Sequence, residues 1–101
     1  MTFKVERSGD RHFTLEGELD LETAPLLRET VAAALIDSEN LTLNLRGLTF
    51  IGSDGVRALV EFCKAVGTAH VVLLNPQVQV LNVLRLTGVL RGTNLMLGYS
   101  N

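Results

Sequence analysis

Two neighbouring stretches, Leu41-Thr-Leu-Asn-Leu45 and Thr49-Phe-Ile-Gly-Ser-Asp-Gly-Val56, decide how this chain folds. Leu41, Leu43 and Leu45 alternate with Thr42 and Asn44, the period-two pattern of a strand with one buried face. From Val56 the period changes. Val56, Leu59, Val60, Cys63 and Val66 recur at helical spacing as one apolar stripe, and Gly67 fits the stop. The spacing predicts a strand over 41–45, a loop over 46–52 and a helix over about 54–66. Ser53 stands at the joint. A serine there can cap the helix by accepting a bond from a first-turn backbone N–H. Those N–H groups and the helix dipole also favour negative charge, so the fold would tolerate a phosphate on Ser53. Such a phosphate would still change what a partner meets on the surface.

Outward from this joint the chain alternates between strands and helices. Phe3 to Glu6 is a short strand, and Ser8-Gly-Asp10 is a turn. His12 to Leu19 alternates, with Phe13, Leu15, Gly17 and Leu19 on one side, so the two segments form a hairpin. Thr23-Ala-Pro25 starts a helix with proline in its first turn, and Leu27, Val31, Ala34 and Leu35 share one face. Asp37 to Asn40 closes it. Val71 to Leu74 is an unbroken apolar run and reads as a central strand. Asn75-Pro76 starts a third helix, which Gly88 ends, and Leu95 to Leu97 is a last strand. The order is ββαβαβαβ. It predicts an α/β fold with a mixed, mostly parallel sheet of four or five strands and right-handed crossovers. Thr42, Asn44, Glu16 and Glu18 point away from the core, so the helices should lie mainly on one face.

Composition limits the alternatives. A chain of 101 residues, 47% hydrophobic, fits one domain over 1–101 and argues against disorder. The formal charge is −2 and there is no Lys/Arg block, so neither nucleic acid nor an anionic membrane is an expected partner. No apolar run is long enough to span a bilayer, and the N-terminal residues lack an apolar signal region. A single cysteine, Cys63, excludes an internal disulfide and falls on the apolar stripe, which makes it a core residue. The expected location is cytoplasmic.

At this point the sequence resembles the STAS domain family, and within it the anti-sigma factor antagonists of bacteria. The resemblance covers about residues 3 to 97. Gly17-Glu-Leu-Asp20 with Thr23-Ala and the amphipathic helix is similar to the family's second strand and first helix. Leu43-Asn-Leu45 with Leu48-Thr-Phe-Ile51 is similar to its third strand and the approach to its signature loop. Gly52-Ser-Asp-Gly-Val56 resembles the signature, usually Asp-Ser-Ser-Gly-Leu, while Asn75-Pro76 and Thr87-Gly-Val89 match more loosely. The family's acid before the serine is Gly52 here, and its second serine is Asp54. The chain stops at Asn101, where many relatives have one more helix, and so reads as either a short member or a trimmed sequence.

The resemblance implies a mechanism. The unmodified antagonist binds an anti-sigma factor, often a serine kinase of the GHKL type, and frees a sigma factor. The kinase phosphorylates the signature serine, here Ser53, and the complex separates. A serine phosphatase restores binding. A dianion beside Asp54 and near Asp20 would repel an acidic partner surface. The carboxyl ends of parallel strands are where such sheets bind. The expected partner surface is therefore the loop 18–23, the loop 46–55 and the first turns of the second helix. Its candidate contacts are Asp20, Leu21, Thr23, Phe50, Ile51, Gly52, Asp54, Gly55, Val56 and Arg57. The alternative is a STAS scaffold or sensor component, in a multiprotein complex or a transport regulator, whose Ser53 is never phosphorylated.

The plainer readings of the same residues are these. Ser53 is a helix cap in either case. Gly52 and Gly55 permit a tight strand-to-helix turn, but they lack the spacing and lysine of a phosphate-binding loop. His12 and His70 have no Cys or paired carboxylate at ligand spacing and read as surface residues, so neither a metal nor a cofactor is expected. A nucleophile elbow needs Gly-x-Ser-x-Gly, whereas Gly52 directly precedes Ser53 and no histidine is placed as its base. The chain is expected not to be an enzyme.

Overall fold

The computed structural model describes residues 2–100; Met1 and Asn101, the ends of the expected 1–101 domain, lie outside the described residues. The elements are β1 (Phe3–Gly9), β2 (His12–Leu19), α1 (Ala24–Val31), a 3-10 turn (Ala32–Ala34), β3 (Leu41–Ile51), α2 (Ser53–Ala65), β4 (Val71–Leu74), α3 (Val78–Leu86) and β5 (Leu95–Gly98). The strands form one sheet in the order β1-β2-β3-β4-β5. β1 runs antiparallel to β2, and β2, β3, β4 and β5 are mutually parallel. The expected mixed sheet and element order are both present.

The side-chain period of the strands sorts the sheet into two unlike faces. Phe13, Leu43, Leu73 and Leu97 stand in register across four strands, with the first three buried. They join Leu27 and Val31 of α1, Leu59 and Phe62 of α2 and Val80 and Leu84 of α3 in a single core. The neighbouring row of His12, Thr42, Val72 and Met96 lies on the other face and is absent from the core that the described helices share. Burying one row and wetting the next is what strict alternation dictates.

β3 departs from expectation. It runs eleven residues to Ile51, so the expected loop 46–52 is largely strand. Two effects extend it. β2 stays paired with it as far as Leu19↔Ile51 by absorbing register shifts at Thr14/Glu16 and Gly17/Glu18. Such bulges need an unusual backbone, and Gly17 supplies φ +93°. On the other edge β4 pairs only with Leu41 to Asn44. There the amides of Gln77 and Gln79 donate to the free carbonyls of Arg46 (2.6 Å) and Thr49 (3.1 Å).

Helix starts also differ. α3 begins at Val78, two residues beyond Pro76, with Gln77 as its extended cap. Asn75 is in a left-handed turn at φ +57° and spends its side chain on Ser100, accepting from that backbone N–H at 2.9 Å. α1 begins at Ala24 with Thr23 at its cap position and ends at Val31, the last turn tightening to 3-10. The helix stops at Gly67 and Gly88 fall where expected, with φ +63° and +72°.

Candidate functional site

The carboxyl ends of β2 and β3 meet at the start of α2. The Gly52 N–H donates to Leu19 O at 2.9 Å, which fixes where the chain turns into the helix. Ser53 is the first helical residue, not the cap. Gly52 holds the cap position, in extended backbone at φ −98°, ψ −178°, and no side chain caps this end. The expected capping bond from Ser53 is absent for a geometric reason. A cap residue needs its side chain ahead of the first turn, and Ser53 is already inside it. Its side chain is exposed and free of that duty.

The glycines act differently from one another. Gly52 has an ordinary extended conformation, and an added Cβ there would come no nearer than 3.4 Å to the Phe50 ring. At Gly55 an added Cβ would lie 2.8 Å from Ile51 Cγ1 and from Leu19 Cγ. Gly55 is thus required by close helix-to-sheet packing and not by a tight turn.

Charges line the exposed side of α2. Asp54, in the first turn, has favourable dipole placement and accepts from Arg57 Nη1 at 3.3 Å. One turn on, Glu61 takes a two-pronged bond from Arg28 of α1, at 2.7 Å to Nε and 3.3 Å to Nη2. That bond pulls the Glu61 carboxyl below its ordinary pKa and raises the Arg28 guanidinium. The β2–α1 connection is bound up in itself. Asp20 Oδ1 accepts from the backbone N–H of Glu22 and Thr23 and from the Thr23 hydroxyl, which also reaches Glu18 O at 2.8 Å.

These placements divide the expected contacts. Leu21 (70% exposed), Phe50 (49%), Ser53 and Arg57 are open to a partner. Asp20, Gly52 and Asp54 are half-buried at the same edge. Ile51, Gly55 and Val56 are buried, and they support the loop from beneath instead of facing outward. Thr23 is half-buried, with its hydroxyl already engaged. Val78, 72% exposed at the first turn of α3, is a large apolar residue not singled out from the sequence. Its signal was its phase: Val80, Leu81 and Leu84 form the buried stripe and Val78 lies off it.

Other chemistry is poorly served. His12 opens β2 and His70 immediately precedes β4, both at the amino ends of parallel strands, whereas Ser53 follows a carboxyl end. An eight-residue strand such as β2 separates those ends by roughly 23 Å. Among the described residues no group of three or more His, Cys, Asp or Glu could hold a metal. No helix among them is long and apolar enough to cross a membrane. A recess of about 280 Å³ lies beside the β2–β3 bulge, lined by Thr2, Phe3, Lys4, Glu16, Gly17 and Gly47, none of them in the Ser53 loop.

A sheet with one antiparallel edge, helices on one face and a serine opening the second helix defines a class. The STAS domain model matches residues 4–97, and the chain belongs to that family. Solved structures align over almost its whole length. An anti-sigma factor antagonist from Mycobacterium paratuberculosis is 26% identical, with a TM-score of 0.75 over 94% of this chain and 84% of that one. The anti-sigma factor antagonist SpoIIAA in its unphosphorylated form is 21% identical, with a TM-score of 0.71 over 95% and 87%. The Bacillus cell fate determinant SpoIIAA in its phosphorylated form is 21% identical, with a TM-score of 0.62 over 95% and 90%. No curated protein sequence matches the chain.

Proposed function

We propose that this chain is an anti-sigma factor antagonist, active by binding and switched off by phosphorylation of Ser53. The observation that carries the reading is the exposed Ser53 at the first position of α2, on the carboxyl edge of a STAS sheet. SpoIIAA, whose fold this chain shares, has been solved in both unphosphorylated and phosphorylated forms. The partner is an anti-sigma factor that is itself a serine kinase of the GHKL type. It moves the γ-phosphoryl group of ATP onto Ser53 Oγ, releasing ADP and the hydroxyl proton, and a serine phosphatase reverses the step by hydrolysis. The chain performs no catalysis of its own and works in the bacterial cytoplasm.

Energetics favour a switch at the interface over a switch in the fold. The helix N-terminus offsets the added charge by about 0.3–1 kcal/mol, so the domain stays folded. On binding, the phosphate must shed water against a surface shaped for a neutral hydroxyl, a cost of several kcal/mol for an unpaired charge. The test is incubation with the cognate anti-sigma kinase and ATP, followed by intact mass and site mapping. One phosphate on Ser53 supports the proposal. No phosphate, or phosphate only outside residues 52–56, contradicts it. That second outcome would favour an unphosphorylated STAS scaffold, a reading motivated by Asp54, whose permanent charge already sits beside Ser53.

A further inference from the structure

Arg57 lies four residues after Ser53 on α2, the spacing at which helical side chains become neighbours about 5–6 Å apart at Cβ. Its side chain is 66% exposed, and its guanidinium makes one long contact, 3.3 Å to Asp54 Oδ1. The nearby arginine of α1, Arg28, is differently employed, held by both oxygens of Glu61. Among the described residues, Arg57 is thus the cation on this edge with donors to spare. A guanidinium has five N–H groups in a planar fork, and only one of them is engaged here.

We propose that Arg57 is the internal counter-ion of a phosphate on Ser53, turning from Asp54 toward the phosphoryl oxygens when Ser53 is modified. This rests on the reading of Ser53 as the modified residue. The two anions differ in strength. Asp54 offers one negative charge and a single long bond, whereas a phosphate offers close to two charges and three acceptor oxygens, which a guanidinium can grip with two parallel bonds. The other charged groups about this corner are Asp54 and Glu61 on α2, Arg28 on α1, Glu18 at the end of β2, and Asp20 and Glu22 in the β2–α1 connection, with Lys64 farther along α2 beside Glu61. The end of β3, Thr49 to Ile51, carries none. Apart from Arg28, held by Glu61, and Lys64, about three turns from Ser53, these groups are anionic, and Arg57 is the cation placed to offset them at the phosphate. Modification therefore changes the surface twice: it adds a dianion and it withdraws an outward-facing guanidinium.

The test uses the full chain with phosphoserine installed at position 53 by genetic encoding, so it does not depend on any kinase. The 31P chemical shift is followed through the second phosphate ionisation, near pH 6. Arg57→Ala is expected to raise that midpoint by at least about 0.2 pH units, the size of an exposed i,i+4 ion pair worth ~0.3–0.5 kcal/mol. Arg57→Lys should restore about half of the shift, and 1 M salt should shrink it. Asp54→Asn should lower the midpoint, because a competitor for Arg57 is gone, and should enlarge the effect of Arg57→Ala. A folded Arg57→Ala protein whose midpoint moves by less than 0.2 units overturns the proposal, as does a midpoint that responds to Asp54→Asn alone. Such a result on a protein whose Ser53 the kinase does label would sink this inference and leave the functional reading intact. Failure of the kinase to label Ser53 would do the reverse.

Discussion

Gln77 donates its side-chain amide to the backbone carbonyl of Arg46 at 2.6 Å, and with its neighbour Gln79 it finishes an edge of β3 that no strand reaches. A carbonyl lost to solvent is cheaper than one buried, so the contribution is modest, about 0.5–1.5 kcal/mol per bond. The double variant Gln77→Ala/Gln79→Ala should lose about 1–2 kcal/mol in urea denaturation. Amide exchange should quicken in residues 46–51 and stay slow in 41–45. Equal acceleration in both halves would mean that α3 does not hold this edge.

That edge also shows what the sequence could and could not reveal. Strand 41–45 was legible because burial alternates strictly there, and α2 because its stripe is long. The continuation to Ile51 was not, because bulges break the alternation and the stabilising partners come from a helix some thirty residues away. The cap of α2 was misread for a similar reason. Ser53 has capping chemistry, yet Gly52 takes that position; Thr23 does hold the cap position of α1, but its hydroxyl bonds back to Glu18 O. The serine that opens α2 was legible from its motif. Which of its neighbours face outward was not, since Ile51, Gly55 and Val56 are set by packing across β2 and α2.

Gly55→Ala sets two effects against each other. Alanine gains up to about 1 kcal/mol of helix propensity. Its Cβ would meet Ile51 and Leu19 at 2.8 Å, and overpacking of that kind costs about 1–3 kcal/mol. The clash should win, giving a net loss near 1 kcal/mol and altered chemical shifts at Leu19 and Ile51. Gly52→Ala, whose Cβ meets only the Phe50 ring at 3.4 Å, should be within about 0.5 kcal/mol of the parent. The reverse ranking would show that backbone conformation, not space, fixes these glycines.

Asn94 gathers three backbone carbonyls with one amide nitrogen: Cys63 O at 3.0 Å, Gly67 O at 3.1 Å and Ala69 O at 2.6 Å. It thereby closes the C-terminus of α2 and leads into β4. Asn94→Ala should cost about 1–3 kcal/mol in chemical denaturation. Asn94→Asp should be no better near neutral pH, because a carboxylate has nothing to donate. Full stability of the Asp variant would contradict a donor role.

The Arg28–Glu61 pair gives a pH dependence of known sign. Its folded carboxyl titrates below the ordinary value because Arg28 bonds the charged form. The stabilisation is present above the unfolded pKa of Glu61 and is lost as pH falls through the lower folded value. Both side chains remain partly in solvent, so the effect is worth only about 0.2–1 kcal/mol at low salt. Glu61→Gln should be less stable than the parent at pH 7, with the gap closing toward acid pH and in high salt. A gap that persists unchanged at pH 2 would point to packing and not to charge.

The cysteine prediction follows from burial. Desolvation raises the Cys63 thiol above its ordinary value, and the residue is 4% exposed. A raised folded pKa favours the folded state below the unfolded thiol pKa, and that contribution is lost as pH rises through the folded value. Cys63 should react with a thiol reagent only as fast as α2 opens, and far faster in urea. Immediate labelling of the native protein would contradict its place in the core.

The central claim is that one hydroxyl, Ser53, decides whether the partner binds. Affinity for the cognate anti-sigma kinase, measured by calorimetry with unmodified protein, the Ser53→Ala variant and the Ser53-phosphorylated form, tests it most directly. The account predicts that the first two bind within about threefold of each other and that phosphorylation weakens binding at least a hundredfold, about 2.7 kcal/mol or more. Equal affinity of the phosphorylated and unmodified forms would contradict it.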